Sequence, residues 1–549
     1  MNPLESVTQI VAPVAAQYGV DARDGLREAA KRPVSEREFF RALSNVVRGY
    51  NGALNDRMTN SWRPSGASPD TLINLDGRVL RERASDLMIN NGFARGISNA
   101  IVANTVSGGF FPILHGIKDR EQQKQIKAAW FHWCQREADI TGHQTFDEML
   151  VLGMKELVRA GEWLIRWVYL DADQMYAMRR RTPFSLQFIE SERLPYDQQW
   201  PTPTPINTDT GNEIRSGVEI DRFTGRPAAY WILNQHPNDL NALSMPKPQR
   251  VDASLIQHVF MRDRIGQTRG VTWLAPAIVW LHRLGAYTDN EMMASALSAC
   301  VMLILKTANS DTPWGIDGDD GDGNSDAAGN MLSHFEPGMV GRVGPNDEVE
   351  PFNPMRPNAQ AEPWLDFMNR STGMAVDLGY EEFTRDHGKT NFSGQRAGEL
   401  ESRRRYRQPI DLMVSQAVVP TYERWFQASV AVGLQGFPTS EQYISDWDSY
   451  HDNSWLPPAR EWVDPVKEQM AADAALQSNN RSLASICAER REDWQDVMEQ
   501  RAQEKAYAKE LSAKYGVEVD SVVDLETRAK LEAANNKADA AAAAADSQK

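Results

Sequence analysis

A chain of 549 residues with 41% hydrophobic content can bury a sizeable core and has room for about three or four domains. Its formal charge of −16 excludes a protein that grips nucleic acid over its whole surface, while permitting local, weak contact. The opening residues lack the basic start of a secretory leader, and no apolar run reaches the roughly 20 residues of a membrane span, so a soluble, non-secreted protein with no membrane partner is expected.

In chain order, residues 1–60 read as a polar helical segment, with Phe39, Leu43, Val46 and Val47 at helix spacing. A Pro/Gly/Ser loop follows over 61–76, then a helical stretch over 77–108 that stops at Ser107-Gly108-Gly109. Amphipathic helices are predicted over 119–136 and 144–160; Thr145 is the N-cap of the second, with Glu148 at the capping-box position. WLIRWVYL (163–170), FSLQFIE (184–190) and SLIQHVF (254–260) are rich in β-formers and read as strands. SGVEIDRFTGRPAAYWIL (216–233) reads as a hairpin turning near Phe223-Thr224-Gly225. With the helices before them, these strands make a mixed α/β domain.

A long helix is predicted over 272–300, where Leu274, Ile278, Leu281, Leu284, Met292 and Leu297 recur at three- and four-residue steps. Residues 301–307 (VMLILKT) read as a strand. The acidic, glycine-rich 315–330 cannot form a core and reads as a flexible loop, and 339–352 reads as a hairpin turning at Gly344-Pro345-Asn346-Asp347. Helix returns over 359–378 and 394–432, separated by the polar, turn-rich 381–394. Residues 465–515 are helical and charged, and 516–549 form a low-complexity tail. The fold class is therefore α+β, mostly helical. The 16 tryptophans suit either core packing or contacts between subunits.

Little in the sequence points to catalysis. HGKT (387–390) carries the Gly-Lys-Thr end of a phosphate-cradling loop, but the glycine required five residues earlier is Phe383. His132 and Cys134 lack partner ligands, and Cys134, Cys300 and Cys487 form no CxxC pair; all three read as buried small hydrophobes. The Asp run from Asp317 has Asp322 and Ala328 where a calcium loop needs Gly and Glu. No catalytic, cofactor-binding or metal-binding residue is assigned, and no cofactor is expected. Arg396, Arg403, Arg404, Arg405 and Arg407 make a basic cluster, but Glu399 and Glu401 interleave with it, which favours an ion-paired face. The short polar segment with Arg385, His387 and Lys389 is the better candidate for touching DNA.

Five stretches carry a resemblance. LMINNGFARGISNAIVANTVSGGFFP (87–112), GRPAAYWIL (225–233), IQHVFMRDRIGQTRGVTWLAPAI (256–278), the helix–loop–helix unit 359–430 and CAERREDWQDVMEQ (487–500) resemble the lambda-type family of tailed-bacteriophage portal proteins, over roughly 85–515. The match is most specific in 256–278. Residues 1–60, the Asp/Gly insert and the tail fall outside it.

The resemblance implies a portal fold assembled as a homo-oligomeric ring, usually a dodecamer. It would have an α/β wing over 61–271 with a return over 394–464, a two-helix stem over 272–300 and 358–380, and a β-rich clip over 301–357. A tunnel loop over 381–393 would face DNA with Arg385, His387, Lys389, Thr390 and Asn391, and a helical crown would cover 465–515. It further implies a virion protein at the capsid's portal vertex, assembled in the host cytoplasm. Its implied partners are double-stranded DNA passing through the channel, the terminase large subunit, head-completion and connector proteins, and the major capsid protein. Two other readings are another virion structural protein and a terminase-like DNA-processing enzyme.

Overall fold

The computed structural model describes residues 61–196, 206–239, 247–299, 303–307, 347–351, 360–388, 392–459 and 465–517. The chain divides after Ser68 into two units, and only 61–68 of the first lie among the described residues. The predicted helix within 1–60, the acidic insert 315–330 and most of the tail lie outside them. The second unit begins at Pro69 and holds every helix and strand among the described residues.

Its first helix starts at Pro69, so the 61–76 loop is shorter than predicted. Proline suits a first turn, where its missing N–H is not needed. The single helix predicted over 77–108 is two, Pro69–Asn90 and Gly92–Thr105. Asn91 is the cause: its side chain accepts hydrogen bonds from the Phe93 and Ala94 amides, capping a second helix in a new direction. Strand β1, Phe111–Leu114, follows, then the helices Arg120–Arg136 and Phe146–Ala160. The Thr145–Glu148 capping box forms, and Gly161 ends that helix in the left-handed conformation, its N–H bonded to the Glu156 and Leu157 carbonyls.

Strands β2 (Glu162–Tyr169), β3 (Phe184–Ile189) and β8 (Ile256–Phe260) form an antiparallel sheet in the order β3-β2-β8. Between β2 and β3 lies an unpredicted helix, Ala172–Met178, capped by Asp171. A second sheet has the order β4-β5-β6-β7, from Glu213–Arg215, Val218–Ile220, Pro227–Leu233 and Pro248–Asp252. Its β5–β6 hairpin turns where predicted, with Asp221 accepting from the Phe223 and Thr224 amides.

The long helix runs from Ile278 to Ala299, beginning six residues later than predicted. Its 22 residues span about 33 Å at about 1.5 Å per residue. Residues 272–277 form tight turns instead. The Thr272 hydroxyl accepts from the Leu274 amide and donates to the Val158 carbonyl, and Pro276 disfavours helix in the residue before it. Strand β9, Leu303–Thr307, pairs antiparallel with β10, Asp347–Pro351. The hairpin predicted within 339–352 thus contributes its second half to a longer-range pairing, while its turn lies outside the described residues.

Ala361–Ala375 and Tyr380–Thr384 come next, so the predicted 381–394 loop begins inside a short helix. The helix predicted over 394–432 is a run of Phe392–Arg405, Arg407–Met413, a π-helical turn at Val414–Val418, and Val419–Val432. Strand β11, Asn453–Leu456, returns to pair with β1. The C-terminal helices are Pro465–Gln477, Leu483–Glu489 and Trp494–Tyr515, three where the sequence pattern predicts one charged helical region.

The main core gathers the helices and strands before residue 460 around a cluster of rings. Trp130 packs against Trp133, Phe146, Tyr422, Trp425 and Trp455, with centroids 5.0–5.7 Å apart. Trp130, Trp133, Trp163 and Trp425 are fully buried, so for these tryptophans core packing is the correct reading. A smaller cluster of Leu164, Ile189, Leu194, Val218, Tyr230, Ile232 and Ile256 joins the two sheets. Cys134 and Cys487 are buried free thiols, as expected; Cys300 lies outside the described residues.

Candidate nucleic-acid interface

The segment singled out in the sequence hangs from a well-built base. After Ala375 the chain reverses through Asp377, in left-handed conformation, and the Leu378 amide donates back to the Gly373 carbonyl at 2.8 Å. The Tyr380 hydroxyl donates to Asp366 at 2.7 Å, and Glu382 accepts from the Gly379 amide at 3.3 Å. Phe383 is buried and stacks on Phe93, centroids 5.9 Å apart, which anchors the short 380–384 helix to the main core. Arg385, again left-handed, ends that helix. Arg385 and His387 are exposed; Asp386 between them accepts from the Gly388 amide at 3.0 Å. Lys389, Thr390 and Asn391 lie outside the described residues.

Three of the five arginines in the basic cluster beyond them are ion-paired, while Arg396 and Arg404 are exposed. Arg403 meets Glu399 at 2.6 Å, Arg405 meets Glu401 at 3.1 Å and Asp377 at 3.6 Å, and Arg407 meets Asp411 at 3.8 Å. Arg405 also donates to the Asp377 carbonyl, clasping the start and end of the projecting segment together. A cleft of about 370 Å³ opens beside this base, lined in part by Trp273, Pro276, Val376, Leu378 and Pro409.

Within the most specific block, 256–278, the GQTRG segment at 266–270 buries Gln267, Arg269 and Gly270. Arg269 is buried and donates to Glu162, equally buried, at 2.8 and 3.0 Å through Nε. Glu162 also accepts from Arg81 at 3.0 Å, His258 at 2.9 Å and the Gly270 amide at 2.6 Å. Burial alone would raise the Glu162 pKa; Arg269, then His258 and Arg81, outweigh it and hold the carboxyl far below its usual range. Burial lowers the His258 pKa, against the opposing pull of Glu162. Tyr196 lies between the two arginines, its ring centre 5.0 Å from Arg81 and 4.7 Å from Arg269. Gln267 braces the same loop by accepting from the Asp263 and Arg264 amides. This network joins the two sheets and the first helix, a structural task and not a catalytic one.

A polar pocket of about 430 Å³ contains Glu190, Glu192 and His236, whose ligand atoms come within 4.8 Å of one another. The donor set is already engaged. Arg159 holds both Glu192 oxygens, at 2.6 and 3.0 Å, and His236 Nδ1 accepts from the Asn238 amide, which leaves the proton on Nε2, facing Glu190 at 3.9 Å. The group reads as an ion-paired cluster.

Comparison with known proteins decides the family. The sequence profile of the phage portal protein, lambda family, matches residues 55–409. The chain belongs to the lambda family of phage portal proteins. It is 26% identical over 467 residues to a probable portal protein of Halomonas phage phiHAP-1, covering 83% of this chain and 86% of that one. It is 22% identical over 502 residues to portal protein B of Escherichia phage lambda, covering 83% and 88%. Among solved structures it is similar to a chain in the neck of a native gene transfer agent particle computed with C12 symmetry, with TM-score 0.38, 12% identity and coverage of 75% and 92%. The family is structural and not enzymatic, which sets aside the terminase-like reading; as a tailed-phage portal protein, the chain is a virion component.

Sequence reasoning found Arg269 as part of a motif but missed its role. The available signal was its position, a lone arginine between Thr268 and Gly270, following a strand, with an acid at the head of WLIRWVYL to receive it. Glu219 was missed likewise. It is completely buried, accepts from Asn207, Thr210, Asn212 and Arg250, and is held at about 2 because those bonds outweigh its desolvation.

Proposed function

We propose that copies of this chain close into a ring, usually of twelve, around a channel through which double-stranded DNA enters and leaves the capsid at one vertex. The observation that carries this reading is the family match over 55–409. In this reading the wing is 61–271 with its return over 394–464, the stem is 272–300 and 358–380, the clip is 301–357, the crown is 465–515, and 381–393 faces DNA. The terminase large subunit, then the head-completion and connector proteins, dock on the clip side. The major capsid protein surrounds the ring, and assembly takes place in the host cytoplasm.

Physical chemistry supports the assignment. Duplex DNA carries one charge per about 1.7 Å of axis, so a wall that bound phosphate tightly would stall translocation. This subunit is acidic overall, and Arg403, Arg405 and Arg407 are neutralised by carboxylates. Arg385 and His387 stand exposed on a segment rooted by Phe383, suited to light contact from a fixed base. Trp364 and Phe367 on the 361–375 helix and Val279 and Met292 on the 278–299 helix are exposed apolar groups of the kind that subunit contacts cover.

The test is Arg385→Ala with Lys389→Ala. Rings should assemble as in the parent, while DNA retention or packaging changes. Normal packaging and retention of full-length genomes by the double variant would remove the tunnel-loop assignment.

A further inference from the structure

The C-terminal helices are attached to the body in an unusual way. Their buried apolar residues, Ala472, Ile486, Cys487 and Ala508, belong to neither hydrophobic cluster of the body. None of the partly buried hydrophobics packed on those clusters comes from 465–517. What joins this unit to the rest, among the described residues, is chiefly charge. Three cations at successive turns of the 120–136 helix, Arg120, Lys124 and Lys127, face three carboxylates at the start of the 494–515 helix, Asp493, Asp496 and Glu499. Arg120 meets Asp496 at 2.6 Å, Lys124 meets Glu499, and Lys127 meets Asp493 at 2.8 Å and Asp496 at 2.9 Å.

The two sides are prepared separately. Lys127 is buried with its ammonium 5.3 Å from the centre of the Phe111 ring, so the body holds the cation in place. Asp493 is the N-cap of the 494–515 helix and accepts from the Gln495 amide at 3.0 Å, so the helix presents its own acid. Arg491 and Asp147 add a further charge interaction between the two parts.

We propose that this is an ionic latch: the unit 465–517 docks on the body through the Arg120/Lys124/Lys127–Asp493/Asp496/Glu499 pairs and can leave it without unfolding the core. Opening returns the part-exposed Arg120, Lys124, Asp496 and Glu499 to water, whereas opening an apolar interface would expose hydrophobic surface. Ionic strength therefore biases the equilibrium. The Debye length falls from about 10 Å at 0.1 M to about 3 Å at 1 M, which weakens the part-exposed Arg120 and Lys124 pairs first.

The full chain tests this, with spin labels at Ala128→Cys and Lys505→Cys in a Cys300→Ser background, diluted with unlabelled chains so that only distances within one chain are read. Both labelled positions are exposed on the facing helices. At low salt one narrow distance is expected, lost to a broad distribution at about 1 M salt. Lys124→Glu should lose the narrow peak at low salt, and Lys124→Glu with Glu499→Lys should restore it, while the melting temperature of the body stays unchanged in all three. A narrow distance that neither salt nor Lys124→Glu alters, or a paired exchange that fails to restore it, overturns the latch.

Discussion

Glu162 is where single residues matter most. Its carboxylate answers two arginines, a histidine and a backbone amide in a site closed to water. Glu162→Gln leaves Arg269 charged, buried and short of its counter-ion, which should cost about 3–5 kcal/mol, read as a lower denaturation midpoint at unchanged slope. The pH dependence follows from the same groups. Glu192 and Glu219 are held at about 2 in the folded chain, and Glu162 lower still, against about 4.3 unfolded. Their contribution is complete above the unfolded value and is lost as pH falls from there towards about 2. Burial lowers the His258 pKa, so below about 6.5 the unfolded chain takes up a proton more readily than the folded chain does, and stability begins to fall earlier. Denaturant titrations at neutral, mildly acidic and strongly acidic pH should show a shallow decline followed by a steep one; a flat profile down to pH 4 would contradict the His258 contribution. Little of this was legible beforehand. A single sequence shows that Arg269 and Glu162 exist, but 107 positions separate them and only the fold makes them partners.

Elements were more legible, because periodicity and caps are local. The Thr145 capping box and the turn near Phe223-Thr224-Gly225 were readable, since the residues that build them lie within four positions of one another. Helix boundaries failed where a side chain chose a partner instead of the helix, as Asn91 and Thr272 do. Asn91 also donates to the Leu281 carbonyl, so Asn91→Ala should cost about 1–2 kcal/mol and loosen the join between the 92–105 and 278–299 helices. Gly161 has φ +85°, and a methyl group there would come within 2.1–2.4 Å of the Val271 backbone, while one on Gly270 would come within 2.1 Å of the Gly161 carbonyl. Gly161→Ala should therefore destabilise by more than about 2 kcal/mol, measurable by thermal unfolding. The close crossing of these two glycines brings the GQTRG segment against the head of β2, where Arg269 meets Glu162.

At the scale of the whole molecule, the order of parts was readable because it is a sequence of element types: helices, strands, a long helix, a strand pair, helices again. The family match over 55–409 agrees with the resemblance read from five short stretches. How the parts divide the labour was less accessible, because the proposed wing, stem and crown would be defined by contacts that no single stretch encodes. In the proposed function an acidic subunit, with most of its basic cluster internally paired, closes with its copies around DNA that it does not hold. Native mass measurement of the purified chain with electron-microscope class averages tests this most directly. Closed rings of about twelve subunits with a central opening are expected; a chain that stays monomeric under all assembly conditions, or that forms shells or tubes, would contradict it.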